Sequence, residues 1–205
     1  MERSVIYLLQ VSTDKLVEAE LFDGISDPHL EAWRKTWLPE VAAAKIRLLN
    51  NQLPGSQWPV DLHWDWDKKM AQARATFLGR KSFCVLCQGE LQGLMLVNLT
   101  KTGRLPEQVR KELVYVEFLS TAPWNRQELA CTPKFRGVGR ALVLAAVELS
   151  LQEEFRGRIA LHSLPQADEF YRVKCGMSPL GKDTKYENLT YFEMTPEQAQ
   201  AFRQV

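Results

Sequence analysis

The stretch Glu112 to Pro123, "ELVYVEFLSTAP", is apolar at consecutive positions over most of its length, with one carboxylate, Glu117, in its middle. A strand apolar on both faces has to be covered on both, which places it inside a sheet. After a loop, residues 124–135, come "RGVGRA", an almost wholly apolar helical run from Ala141 to Leu151, and a second strand, "GRIALHSL". Strand, buried helix and strand in that order form a crossover unit, so the chain should build a mixed α/β sheet. The other segments follow from local signals. "SVIYLLQV" (Ser4 to Val11) reads as a first strand, and residues 26–51 as helical, with a Ser-Asp-Pro start and a second opening at Pro39. A further helix is expected from about Asp65 to Leu78. "KSFCVLCQ" and "GELQGLMLVNLT" read as strands joined by a tight turn at Gln88-Gly89-Glu90. "PQADEFYRVKCG" reads as a helix ending at Gly176, "NLTYFEM" as a last strand, and the tail as a helix capped by Thr195. The expected order is β, two or three helices, β-β-β, α, β, α, β. It forms one domain of residues 1–205 with a helical elaboration at about 23–79.

The charge balance narrows the partners. With 26 basic and 25 acidic side chains the formal net charge is +1, whereas grip on nucleic acid usually needs a basic surplus to neutralise phosphates. The apolar run Val5 to Leu9 is too short for a secretion signal, and no window approaches a membrane span, so a cytoplasmic protein is expected. Of four cysteines, Cys84 and Cys87 have the C-x-x-C spacing of a redox or zinc half-site. They lie in an apolar strand, no second pair exists, and His29, His63 and His162 are scattered. Buried reduced thiols and no metal are the expectation.

Gly137 and Gly139 stand one residue apart, between Arg136 and Arg140, at the mouth of the apolar helix. Bare backbone there exposes successive N–H groups at the positive end of a helix dipole, and the arginines add charge: an anion site, best suited to phosphate. A Walker A loop is absent, and a dinucleotide fingerprint would need a third glycine where Leu142 stands. "RGVGRA" matches the R/Q-x-x-G-x-G/A motif of the GCN5-related N-acetyltransferase (GNAT) family, and "ADEFYRVKCGM" is similar to that family's A-x-x-F-Y helix and following turn. The element order resembles the family over most of residues 4–194.

The resemblance implies the GNAT fold, acetyl-coenzyme A as cosubstrate, no metal, and direct attack of a primary amine on the thioester in a ternary complex. It implies that Arg136, Gly137, Val138, Gly139, Arg140 and Ala141 cradle the pyrophosphate. Ser120 and Thr121 would contact the cosubstrate and support the oxyanion through backbone N–H groups. Tyr171 matches the tyrosine that protonates the leaving thiolate, against a plain packing role beside Phe170. Glu117 matches a strand glutamate that serves as base; burial of a lone carboxylate would raise its pKa, and the competing reading is an inward ion pair. His162 and Ser163 fall where the family's sheet splays, although a lone strand histidine is more often structural. Asp65 and Asp67 read first as helix-start charges and second as a site for a cationic substrate. The acceptor, a small-molecule or protein amine, would meet the helical elaboration, the segment 58–67 and the loop "PWNRQELACTP". The alternatives are a non-catalytic acyl-coenzyme A- or partner-binding module on the same fold and, disfavoured by charge, acetylation of aminoacyl-tRNA. Monomer or homodimer, with no membrane and no nucleic acid, completes the expectation.

Overall fold

The computed structural model describes residues 2–55, 58–76, 79–130 and 132–204. The chain begins as a hairpin that the sequence reading lacked: β1 (Arg3–Gln10) pairs antiparallel with β2 (Lys15–Asp23), Val5 facing Glu20 and Tyr7 facing Glu18. Its turn is closed by Asp14 at φ 53°, a conformation that aspartate tolerates better than most residues. α1 (Asp27–Ala32) and α2 (Leu38–Asn50) are one continuous helical run instead of two helices broken at Pro39. Between them Trp33–Trp37 form a π-turn in which Leu38 N–H donates to Trp33 O, and the widened turn lets the helix pass Pro39, which has no N–H to give. α3 (Trp66–Ala75) starts at Asp65, whose side chain accepts from Lys68 N–H at 3.0 Å. Asp67 is paired with Arg34 at 2.6 Å, so both aspartates follow the helix-start reading.

β3 (Arg80–Cys87) and β4 (Glu90–Thr102) meet at Gln88 (φ 54°) and Gly89 (φ 75°), two consecutive left-handed residues as a type I′ turn requires. β5 (Glu112–Thr121) is the buried strand expected, and the two-residue β6 (Phe135–Arg136) follows the long loop. Then come α4 (Val138–Gln152), β7 (Ile159–Ser163), a 3-10 turn at Pro165–Ala167 and a π-turn at Phe170–Lys174. β8 (Ser178–Asp183), β9 (Leu189–Met194) and α5 (Pro196–Gln204) close the chain. The hydrogen-bonded strand order is β6-β1-β2-β3-β4-β5-β7-β9-β8: a mixed sheet in which β5 is interior and runs parallel to β7.

The chain gathers into two compact units, Met1–Phe77 with Phe83–Leu94 and Ser120–Gly139, and Leu78–Ser82 with Met95–Leu119 and Arg140–Val205. In the first, Trp33, Trp37 and Trp66 are core residues, and Trp37 Nε1 donates to Leu91 O at 3.0 Å. The loop after β5 is a folded element here. The fully buried Gln92 accepts from Trp124 Nε1 and Asn125 Nδ2 through its Oε1, both at 2.9 Å, and Asn125 Oδ1 accepts from Phe135 N–H at 2.8 Å. Arg126 forks onto Asp61 at 2.7 and 2.9 Å, and Arg47 donates to Leu129 O at 2.9 Å. In the second unit α4 is buried at Leu142, Val143, Ala145, Ala146, Val147, Leu149 and Ser150, the all-round apolar burial that its sequence demands. The buried Glu193 carboxylate accepts from Arg104 N–H (2.7 Å), Leu105 N–H (3.2 Å) and Gln108 Nε2 (2.6 Å), closing the turn after β4. Thr195 caps α5 as read, its Oγ1 accepting from Gln198 N–H at 3.3 Å. Cys84, Cys87 and Cys175 are free and buried; Cys131 lies outside the described residues.

Candidate functional site

The glycine loop has the conformation that its sequence asks for. Gly137 sits at φ +101°, where a side chain is strained, although a Cβ there would meet only Leu8 Cδ2 at an ordinary 3.5 Å. The glycine is therefore required by backbone conformation and not by crowding. Gly137 and Arg136 are exposed, and Val138, buried at 2% exposure, anchors the first turn of α4. The loop opens directly onto a 15-residue helix, whose first N–H groups have no acceptor within the helix. One part of the expected charge is spent elsewhere. Arg140 donates from Nη2 to Phe202 O at 2.6 Å and stacks its guanidinium 4.2 Å from the Phe202 ring, so it fastens α5. Gly139 and Ala141, both half-buried, occupy the same opening turn.

A second feature lies between β5 and β7. Their parallel pairing runs Val114↔Ile159, Tyr115↔Ala160 and Val116↔Leu161. Beyond it β5 continues to Thr121 and β7 to Ser163. Ser120 is buried and Thr121 half-buried at the end of β5, followed by Ala122, whose N–H donates to Gln92 O at 2.8 Å.

Glu117 is the first β5 residue past the paired stretch, and it is not the solitary carboxylate expected. Arg80 donates to it bidentately, Nε to Oε2 at 2.9 Å and Nη2 to Oε1 at 3.1 Å, and Asn98 Nδ2 donates to Oε1 at 2.9 Å. Asn98 is itself oriented by Thr100, whose N–H and Oγ1 donate to Asn98 Oδ1 at 2.8 and 2.7 Å. The ion-pair reading of Glu117 holds, because three donors share its two oxygens.

His162, the first β7 residue past the paired stretch, is enclosed. Its Nε2 lies 3.1 Å from Asp183 Oδ2 and its Nδ1 2.6 Å from the Tyr115 hydroxyl. Tyr186 stacks on its ring at 3.8 Å and Tyr191 meets it edge-on at 5.0 Å. Arg104 donates to Asp183 Oδ2 at 2.6 Å and lies 3.9 Å from the Tyr191 ring. Arg104's hydrogen bond holds the Asp183 carboxyl down at about 2. Burial lowers the His162 pKa below its ordinary 6.5, the Asp183 hydrogen bond opposing it, and burial raises that of the Tyr115 phenol. Tyr171 is buried in the π-turn, its ring 5.1 Å from Phe170 and 6.0 Å from Phe192, while Met177 N–H donates to its carbonyl at 3.0 Å. Sequence reasoning missed Arg80, Asn98, Tyr115 and Asp183. Polar residues facing a strand carboxylate or histidine are the only signal for them, and that signal needs the strand register.

An interior parallel strand pair that parts at its carboxyl ends, a helix between them opening on a bare glycine loop, and an antiparallel β8–β9 pair alongside define the fold of the GNAT acetyltransferases. Solved structures of that fold agree. The chain aligns with a GNAT-family protein from Desulfovibrio desulfuricans with a TM-score of 0.54 at 10% identity, over 87% of this chain and 99% of that one. It aligns with the PaiA N-acetyltransferase from Thermoplasma acidophilum, solved in complex with coenzyme A, with a TM-score of 0.55 at 11% identity over the same shares. No protein-family model matches the sequence, and no curated protein does.

Proposed function

We propose that residues 1–205 form one acetyltransferase domain that moves the acetyl group of acetyl-coenzyme A to a primary amine in a ternary complex. The observation that carries the reading is the exposed, positively charged glycine loop at the start of the buried helix α4, with Gly137 at φ +101°. Backbone N–H groups of Gly137, Val138, Gly139 and Ala141, with the exposed Arg136, would hold the pyrophosphate, and Arg140 would act only by holding α5 in place. Acetyl-coenzyme A supplies an activated thioester, and the chain's task is to orient it, to offer N–H donors to its oxyanion and to manage two protons. Backbone N–H groups around Ser120 and Thr121 are the proposed oxyanion donors. Tyr171 is the proposed acid for the leaving thiolate. Glu117, committed to Arg80 and Asn98, serves here as an ion pair bordering the parted strands and not as the free base that the family resemblance implies. The acceptor is a small-molecule or protein amine met in the cytoplasm.

That commitment of Glu117 is also the one observation favouring a second reading, a module that binds an acyl-coenzyme A without turnover. Titration calorimetry with acetyl-coenzyme A separates the outcomes. The parent should bind, and the folded double variant Gly137→Glu, Gly139→Glu should not. Thiol release with a panel of alkylamines, aminoglycosides and short peptides then decides between transferase and binder. A parent that binds no acetyl-coenzyme A removes both readings.

A further inference from the structure

We propose that Asp183, His162 and Tyr115 form the relay that accepts the proton of the attacking amine, with Tyr115 as the catalytic group and His162 and Asp183 positioning and charging it. The proposal rests on the acetyltransferase reading above and names a base that this reading lacks once Glu117 is bound by three donors.

The geometry fixes the direction of each hydrogen bond. Asp183 is ionised beside Arg104 and can only accept, so His162 must carry its proton on Nε2 and donate it to Asp183 Oδ2. The other ring nitrogen, Nδ1, is then a bare lone pair, and the Tyr115 hydroxyl 2.6 Å away must donate to it. This leaves the Tyr115 oxygen with lone pairs free to take a proton from a third group. The arrangement is the one that activates a hydroxyl in a serine–histidine–aspartate triad, with a phenol in the hydroxyl's place.

The relay also adjoins the level at which the pairing of β5 and β7 ends, with Tyr115 one residue before the last paired residue of β5 and His162 one residue past the last of β7. Tyr115 is paired opposite Ala160, yet its hydroxyl reaches His162, two residues further along β7, or roughly 6.6 Å at ~3.3 Å per residue. The ring therefore leans toward the end where β5 and β7 separate after Val116 and Leu161, on the same strand face as Glu117. The groups around the imidazole are Tyr115 from β5, Asp183 from β8, Tyr191 from β9, Tyr186 from the turn after β8, and Arg104 from the turn after β4. Among these, Asp183 is the carboxylate and Arg104 the cation. Arg104 is already paired with Asp183, so the ring faces one net-neutral pair and three phenols.

In the step itself the neutral amine nitrogen attacks the thioester carbon and forms the C–N bond. As the nitrogen becomes acidic, its proton passes to the Tyr115 oxygen while the Tyr115 proton moves to His162 Nδ1. The resulting imidazolium is held by Asp183. Collapse of the adduct breaks the C–S bond, and the thiolate takes its proton from Tyr171. The imidazolium then returns its extra proton through Tyr115 to solvent, and the Tyr171 phenolate takes one back from solvent, so the net change is one proton moved from nitrogen to sulfur. Each proton has a donor and an acceptor, and no redox partner is needed.

The test uses the full chain, acetyl-coenzyme A, and hydroxylamine as acceptor, a nucleophile neutral at pH 7 and too small to depend on an acceptor pocket. Tyr115→Phe and His162→Gln should each lower the rate of thiol release about 100-fold, the low end for a lost acid–base group. Their acetyl-coenzyme A affinity should be unchanged. The double variant should fall no further than either single, because the two act as one unit. Asp183→Asn gives a readout that a structural role would not move. Activity needs neutral His162 and falls as pH drops through its pKa. Loss of the Asp183 hydrogen bond lowers that pKa further, so the acid limb should shift to lower pH while the maximal rate falls. Retention of activity within about threefold in Tyr115→Phe, or additive losses in the double variant, overturns the relay and leaves the transferase reading standing. A parent that binds acetyl-coenzyme A but releases no thiol to hydroxylamine also overturns it. A parent that does not bind acetyl-coenzyme A overturns the transferase reading and the relay together.

Discussion

Replacing Arg126 with methionine should destabilise the chain far more than removal of any surface ion pair. Arg126 and Asp61 have side chains exposed by only 12% and 6%, and the guanidinium donates to both carboxylate oxygens, at 2.7 and 2.9 Å. Arg126 also reaches Glu128, at 3.0 Å from Nε and 2.8 Å from Nη2. Methionine fills most of the arginine stem's volume but leaves the Asp61 charge in its buried place without the fork. Breaking one side of a buried pair costs about 3–5 kcal/mol, against ~0–1 kcal/mol for an exposed pair. For a chain of 205 residues each kcal/mol is worth roughly 2–4 °C, so the midpoint should drop by about 6–20 °C. The assays are thermal unfolding for the midpoint and urea unfolding for the free energy, both followed by tryptophan fluorescence, on Arg126→Met, Asp61→Leu and the double variant. Because the penalty is the loss of the fork on a buried carboxylate, the double should be more stable than the sum of the singles by at least about 1 kcal/mol. A single-variant loss under about 1 kcal/mol, or strict additivity, would show that the pair behaves as a solvated one and that the loop before the glycine motif is held by something else.

Gly137→Ala should cost about 1–3 kcal/mol through its left-handed φ alone, since the space for a methyl exists; an unchanged unfolding midpoint would contradict that backbone argument. Arg140→Met should lower stability by roughly 1–3 kcal/mol and leave acetyl-coenzyme A affinity within about threefold, whereas Arg136→Ala should weaken binding, and calorimetry showing the reverse would return Arg140 to the anion site. Burial pushes the Cys84 and Cys175 thiols up to about 12, so neither should react with a disulfide reagent at pH 8 until the protein is unfolded. The same upward shift means that each thiol's contribution to stability is intact below about pH 9, the unfolded value, and is lost as pH rises toward 12; a flat stability profile over that window would refute the burial.

Periodicity made the interior of the fold legible and its margins not. β5, α4 and β7 were readable because each is buried on nearly all sides, so apolar runs of the right length carried the information. β2 escaped because Glu18 and Glu20 alternate with Val17, Ala19 and Leu21, and a half-exposed hairpin with a Ser-Thr-Asp turn reads as polar connection. β8, "SPLGKD", holds Pro179 and Gly181 and shifts register between Pro179 and Lys182, the composition of a bulged edge strand that propensity scores against. The π-turn at Trp33–Trp37 could not be read either, since Pro39 is an ordinary helix-start signal unless the helix before it widens.

The site divides along the same physical line. Backbone conformation was legible: two glycines at a helix start predict an exposed turn of bare backbone, and Gly137 at φ +101° beside the exposed Arg136 has it, because the turn belongs to the motif itself. Side-chain chemistry was not, because a polar group in a sheet is defined by partners on other strands. Glu117 meets Arg80, 37 positions away, and Asn98, 19 away; His162 meets Tyr115, 47 positions away. None of these separations leaves a local trace. Yet one regularity follows from the sheet alone. Where β5 and β7 stop pairing, the residues Glu117 and His162 lose strand partners on one flank, and at that level each recruits polar side chains from neighbouring elements. Burying a charged or hydrogen-bonding group there without partners would cost several kcal/mol, about 2–7 for a neutral group alone. Two satisfied networks at the point of separation therefore mark a place where polarity is kept at a cost to core packing. Of the two, the Glu117 oxygens already take three donated hydrogen bonds, while the Tyr115–His162–Asp183 chain ends in a phenolic oxygen with accepting capacity left over. That asymmetry is what distinguishes a structural ion pair from a group positioned to take a proton.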